Sequence, residues 1–424
     1  SACLVGSEMC IRDSVTSRGR SSLSQAASTS SSTDALIAPA REPVDCGVTL
    51  WSSEVGPYLW HDFDSDRLRS DLHAIGGTEL RTLRVLLPWD AFAPTVAGVP
   101  PVRLRQLELL LHLAEEQGIG VVPVLFSQTI GDCVMLPPYA IDVGGTRPGV
   151  RVVTDAVVQP GGPRDQHTDP LMLEVQLRMI EQLTSAFGRH PALRCWDLGH
   201  DPASAMRPRR TAEQRHWCTT LAAALHDRGE RCMLSLGWRD LTTARGVRPH
   251  VLATQLDSIG LVLEFDQLVS GRAATARDGV FMARLLLRLS GAATPVAVHV
   301  TVPAAEIDGT EEFARSTSAG LVEVGCSAVH ALWWSCTGPR TERVPPFDRR
   351  PDLGRRGLVD TVGEQTHFGR AWIEAASGER ERSAAQPWPP AIDVDDYYAN
   401  LPESLNDLRA AWEAEDDDTP AILR

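Results

Sequence analysis

The sequence predicts an α/β fold built on parallel strands. Three observations carry this: eight short β-rich apolar runs, amphipathic segments alternating with them, and a span of roughly 330 residues for the whole series. The runs are 44–51, 82–89, 120–126, 194–199, 231–238, 256–265, 294–302 and 328–335. Between them, residues 104–117 put Leu104, Leu107, Leu111 and Ala114 on one face of a helix. Residues 171–187 form another, with Asp169 as N-cap, Pro170 at N1 and Gly188 as its stop. A third is expected from Thr211, with Gln214 three residues on as a capping box, to Gly229, and the last of the series over 367–376. Eight alternations are the arithmetic of a (β/α)8 barrel. A doubly wound open sheet is the runner-up, because both architectures bury their strands on two faces.

Three regions follow. Residues 1–40 are Ser-rich and aperiodic and are expected to be disordered, and their stretch 4–14 reads as a translated sequencing-adapter scar and is set aside. Residues 44–377 carry the strand and helix series. Residues 378–424 are a C-terminal extension in which Leu401, Leu405, Leu408 and Trp412 mark one face of a short helix expected to dock on the barrel, followed by an acidic tail. An insertion at 127–166, rich in Gly and Pro, has two readings: a wall of a substrate cleft or a mobile surface loop.

Composition closes several function classes. All 41 basic side chains counted as Lys+Arg are Arg, so Schiff-base chemistry, a pyridoxal phosphate linkage and a lysine-bearing P-loop are excluded. A net charge of −14 argues against a nucleic-acid partner. No run of 18 apolar residues occurs, so no membrane partner is expected. Nine Cys without CxxC spacing read as buried small side chains of a reducing compartment. The cytoplasm is the default location, with secretion left open because the native N-terminus can be missing. No cofactor is expected.

The most telling stretch is Trp196-Asp197-Leu198-Gly199-His200-Asp201-Pro202, where an apolar strand ends in polar residues. It resembles the Trp-Asp-Leu-Gly-Asn-Glu-Pro signature of clan-A glycoside hydrolases of the cellulase and mannanase type (family 5). Further stretches share the likeness: Arg84 in Leu83-Arg84-Val85-Leu86, the turn 87–94 with Trp89, His190-Pro191 before the signature, Ala331-Leu332-Trp333-Trp334, and 345–360. The resemblance covers most of 44–400 and favours the barrel over the open sheet. It implies a β-linked oligo- or polysaccharide as partner, Asp201 at the acid/base position, and Arg84 as the residue that bonds the nucleophile. By the same alignment Val300, in Pro295-Val296-Ala297-Val298-His299-Val300, falls where the family has its nucleophilic Glu, and neither His299 nor Thr301 supplies a carboxylate. Val262-Leu263-Glu264 stands where the family has His-x-Tyr. His200, Trp51, Trp89, Trp238, Trp333 and Trp334 are candidate cleft residues, because indole faces stack on the C–H faces of sugars.

Glycoside hydrolysis normally needs two carboxyl groups at a defined separation. The favoured expectation is therefore a glycoside hydrolase-like barrel whose catalysis is degenerate and whose carbohydrate cleft persists. One alternative keeps catalysis, with Asp201 as acid and Glu264, Asp90 or Asp240 as a relocated second carboxylate. Another groups His200, Asp201, His299 and Glu264 around a metal as a metal-dependent hydrolase, although no close-spaced ligand motif occurs.

Overall fold

The computed structural model describes residues 44–414 apart from 146–147, 246, 270–272, 292–293, 302–308, 337–340 and 377–391. The Ser-rich segment 1–40, its adapter-like part and the end of the acidic tail lie outside the described residues. Eight parallel strands follow one another around a closed ring: β1 Asp45–Leu50, β2 Thr82–Leu86, β3 Gly120–Ile130, β4 Trp196–His200, β5 Cys232–Gly237, β6 Ser258–Glu264, β7 Val296–Thr301 and β8 Ala328–Leu332. Each pairs in parallel with the next, and β8 pairs with β1, so no edge is left open. The fold is a (β/α)8 barrel, and the open sheet is excluded.

Eight helices alternate with the strands: α1 Ser65–Gly76, α2 Pro101–Glu116, α3 Pro170–Phe187, α4 Thr211–His226, α5 Pro249–Ala253, α6 Ala276–Ser290, α7 Thr310–Glu323 and α8 His367–Ala376. Asp169 caps α3 as its sequence requires, accepting from the Leu171 and Met172 amides at 2.9 and 3.4 Å. The start of α4 is different from the expectation. Its cap is Arg210, whose amide donates to the Glu213 side chain at 3.2 Å, while Gln214 is buried against the barrel. Glu213 therefore takes the reciprocal role expected of Gln214, one residue earlier.

α5 is a single short turn, and the C-terminal extension covers that side. Helix α9, Val394–Ala399, sends the Tyr397 and Tyr398 hydroxyls to the Leu241 and Asp240 carbonyls at 2.8 and 3.1 Å. Leu401, Leu405, Leu408 and Trp412, the last three on α10 (Glu403–Ala414), pack partly buried against the core, as their spacing predicts.

The insertion after β3 is ordered β-structure. Cys133–Met135 runs antiparallel to the end of β3, and Arg151–Thr154 and Val157–Gln159 extend the sheet beyond it. Arg151 ties it down by bridging Asp132 at 2.7 Å and Asp348, in the loop after β8, at 2.6 Å. Among the described residues, no helix is long and apolar enough to cross a membrane.

Side-chain alternation decides what faces the barrel axis. Along β7, Ala297 packs with Val122 and Met233 inside the barrel and His299 bonds across to β5 and β8, so Thr301 is the next inward position. Val296, Val298 and Val300 belong to the outward row, in the apolar layer shared with the helices.

Candidate functional site

Inward residues of five strands form one polar chain across the barrel. Arg84 of β2 and Asp197 of β4 are fully buried and paired, Nη2 to Oδ2 at 2.7 Å and Nε to Oδ2 at 3.2 Å. Asp197 also accepts from the Gly199 and Ser235 amides at 3.1 Å each and from the Ser235 hydroxyl at 2.5 Å. Since that hydroxyl proton points to Asp197, Ser235 Oγ must accept from His299 Nε2, 2.9 Å away. The neutral His299 then offers Nδ1 as acceptor to the His330 Nδ1–H at 3.1 Å, and the two rings stack with centroids 5.1 Å apart. Burial, Arg84 and the neighbouring imidazoles push His299 well below its ordinary pKa, and burial with Arg84 pushes His330 down to about 3. Gly260 makes the room: a Cβ there would collide with the Ser235 hydroxyl and the His299 ring.

A β-bulge in β4 sets the top of the site. The register shifts between Asp197 and His200 on both sides of the strand, which turns His200 inward, its Nδ1 accepting from Arg84 Nη1 at 2.9 Å. Burial and the Arg84 charge hold His200 neutral by pushing its pKa far down. The next residue, Asp201, takes a left-handed backbone conformation, φ 49° and ψ 56°, which Asp tolerates better than most residues. That turn aims its carboxyl away from the axis, against Gly237, where any Cβ would overlap it, and Ser204 donates to Oδ2.

Two cavities result. The axial one is lined by Thr49, Trp51, Leu86, Ile130, Gly131, His200, Glu264, His299, Val300, Thr301, Leu332 and Leu353, and holds only about 40 Å³. That is far below the roughly 300–1,000 Å³ of ordinary ligand pockets. Beside it opens a space of about 570 Å³ whose walls include Thr129, Asp132, Asp201, Ser204, Arg207, Arg239, Glu264, Gln267, Arg349 and Arg350. Glu264 borders both. Burial raises the Asp201 pKa, reinforced by Asp240 and Glu264 and opposed by the Ser204 hydroxyl. Burial and Asp266 push Glu264 up to about 7, against the pull of Arg356, Arg239 and Arg350. Both carboxyls are thus biased towards their protonated forms, as acids in catalytic clefts often are.

The other sequence-derived candidates separate. Arg84 bonds Asp197 and His200 rather than a residue of β7. Val300 touches the axial cavity but is 3% exposed and belongs with Val296 and Val298 to the outward apolar row, and the inward position at the end of β7, beside Glu264, is Thr301, which bears no carboxylate. Asp240 is fully buried, 3.0 Å from Arg207 and accepting from the Gly237 amide, and Asp90 is held by His61 at 3.2 Å and the Asp155 amide at 2.9 Å. Neither lines the two cavities. Trp51 lines the axial cavity, packed edge-on to Phe347. Trp89 and Trp333 are 1% and 2% exposed, and Trp89 borders a void of about 10 Å³ under the insertion. Trp334 turns to the outer face beside Asp71 and Gly363, and Trp238 is covered by Arg239 at 4.7 Å. Among the described residues, the ligand atoms of His200, Asp201, His299 and Glu264 do not converge as a metal-binding group. Asp197, Ser235, His330 and Arg239 were not singled out from sequence; a lone carboxylate inside an apolar strand, as in Trp196-Asp197-Leu198, is the signal that finds the first of them.

The closed (β/α)8 barrel is a fold that this chain shares with solved glycoside hydrolase structures. No protein-family model and no curated protein matches the sequence. Solved structures do match. GH5_18 from Streptomyces cattleya in complex with GlcNAc superposes with a TM-score of 0.71 at 19% identity, covering 88% of this chain and 92% of that one. A variant of the same protein in complex with Manβ1-4GlcNAc gives the same values, 0.71, 19%, 88% and 92%. An exo-β-1,4-mannosidase from Opitutaceae bacterium strain TAV5 reaches 0.65 at 18% identity, over 80% of this chain and 60% of that one.

Proposed function

We propose that the chain is a glycoside hydrolase-like barrel of carbohydrate metabolism that has lost double-displacement catalysis and keeps a carbohydrate-binding cleft. The observation that carries the reading is the contrast at the strand ends. Asp201 and Glu264 face a cavity of about 570 Å³, while the end of β7 presents Thr301 to an axial space of about 40 Å³. A retaining mechanism needs a carboxylate to attack the sugar carbon and form a glycosyl ester, and it must hold the ring while doing so. Among the described residues, β7 supplies neither the group nor the room at its end. Binding in the larger cavity, with β-linked oligo- or polysaccharide as ligand, is supported by the fold it shares with a protein solved with Manβ1-4GlcNAc.

A second reading has its own support. Asp201 and Glu264 border one cavity and burial raises both pKa values, so Asp201 would suit the general acid of an inverting hydrolysis through water, with Glu264 as base once it is ionised above about pH 7. One experiment separates the two. Manβ1-4GlcNAc and aryl β-mannosides are offered to the wild type and to Asp201→Asn and Glu264→Gln, with binding followed by calorimetry and product by chromatography. Binding without product is the expected result. Turnover abolished by either substitution would establish the second reading, and absence of binding would refute both.

A further inference from the structure

Away from both cavities, at the start of β5, three potential ligands converge. Helix α4 ends on His226, β5 begins at Cys232, and Asp257 stands just before β6. His226 Nε2 lies 3.0 Å from Asp257 Oδ2 and 3.4 Å from Cys232 Sγ, and all three atoms fall within 4.8 Å of one another. We propose that His226, Cys232 and Asp257 form a binding site for a zinc-like divalent ion.

The two His226 separations, 3.0 and 3.4 Å, are close to the edges of a zinc tetrahedron. Zinc bond lengths to N, O and S imply edges of about 3.3 Å between N and O and about 3.5 Å between N and S. A thiolate, a carboxylate and a neutral imidazole also balance a 2+ charge, and they are the borderline-soft set that selects zinc over magnesium or calcium. His226 and Asp257 are 43% and 34% exposed at the side chain, so the fourth position opens to water and an ion can enter.

Tautomer chemistry separates this group from the other one of its kind, His112, Glu115 and His190. There His190 Nδ1 accepts from the Ala192 amide at 3.3 Å, which places the neutral ring's proton on Nε2, the very atom that faces His112 at 3.4 Å. An ion at Nε2 would have to break that arrangement. On His226 no described hydrogen bond engages Nδ1, so its proton can move there and free Nε2 for the metal. Cys232 is buried and its thiol lies against His226. Binding then replaces the S–H bond with a metal–sulfur bond and releases one proton to solvent.

Cys232 and Gly237 are the two ends of one strand, about 16 Å apart, which puts the site on the opposite mouth of the barrel from the Asp201 carboxyl that packs against Gly237. An ion there clamps α4, β5 and the approach to β6, a structural role in keeping with that face. The test is a titration of the full chain with Zn²⁺, followed by Co²⁺ for its thiolate charge-transfer band. The expected result is one ion per chain and a cobalt–thiolate band that Cys232→Ser abolishes. His226→Gln, at an exposed helix end that tolerates change, should weaken zinc binding by more than the about 10–100-fold that second-shell losses cost, and His190→Gln should leave it unaltered. No uptake at micromolar zinc, or uptake that His226→Gln leaves unchanged, would overturn the proposal.

Discussion

The axial layer and the outer cavity use the same kinds of side chain to opposite ends. In the axial layer the two charges are paired and only His330 Nε2 lacks a partner among its described groups: Asp197 collects Arg84, two amides and a hydroxyl, and the histidines donate in one direction along the chain. In the outer cavity the matching stops short. Asp201 has one described donor to its Oδ2, its Oδ1 is buried with no hydrogen-bond partner, and Arg239 is met by Gln267 and the Trp238 ring instead of a carboxylate. A satisfied polar network fixes geometry, whereas unmatched groups beside an open volume are what a ligand can complete. The difference teaches where to look for function in a barrel whose signature residues have changed.

The largest effect should come from breaking the satisfied layer. Arg84→Met leaves the fully buried Asp197 without its cation and should lower stability by about 3–5 kcal/mol, read from urea unfolding. A loss under 1 kcal/mol would mean that the layer is hydrated or slack and that the contrast with the cavity is false.

Next come paired substitutions at the end of β7. Val300→Glu drives a carboxyl into the outward apolar row and should cost about 3 kcal/mol. Thr301→Glu only crowds the narrow axial space beside Glu264 and should cost about 1–2 kcal/mol. Equal costs would contradict the side-chain alternation along β7. Neither variant is expected to hydrolyse aryl β-mannosides, because a carboxyl alone does not enlarge the axial space.

Those two positions also mark the limit of what the sequence discloses. The eight strands, the Asp169 cap and the apolar face of α10 were legible, because period and capping chemistry are local. Facing was not. Aligning Val300 with a family Glu is a statement about order along the chain, whereas its outward direction depends on how β7 sits in the ring. The bulge that turns His200 inward and swings Asp201 off the axis is equally invisible, since nothing in Gly199-His200-Asp201 reports the pairing of β4 with β3 and β5. Indole burial is also a tertiary matter, which is why Trp89 and Trp333, read as cleft residues, lie in the core.

A smaller effect belongs to Glu264 and is a matter of pH. Its pKa in the folded chain, about 7, is above the usual glutamate value of 4.5, so between those values the folded state holds more protons than the unfolded one. Stability from this group is therefore complete at low pH and declines as pH rises from about 4.5 to about 7. Glu264→Gln should remove that decline, a difference on the order of 2 kcal/mol between pH 4.5 and 8 once partial contact with water is allowed for. Identical pH profiles for the two proteins would show the carboxyl to be solvated and would remove it from the unmatched set.

The finest probe is Ser204→Ala, which deletes the one described donor to the Asp201 carboxyl. A hydroxyl that donates to a carboxylate favours the ionised form, so its loss should raise the Asp201 pKa further and cost about 1 kcal/mol of stability. The cost should be greater at high pH, where Asp201 is ionised and left without its donor, than at low pH, where the protonated acid can make its own hydrogen bond. Melting temperatures taken at acid and alkaline pH measure that asymmetry. If the cost is the same at both, the Ser204 contact is simple packing, and Asp201 is already supported like the carboxylate of the axial layer, which would erase the distinction between the two regions.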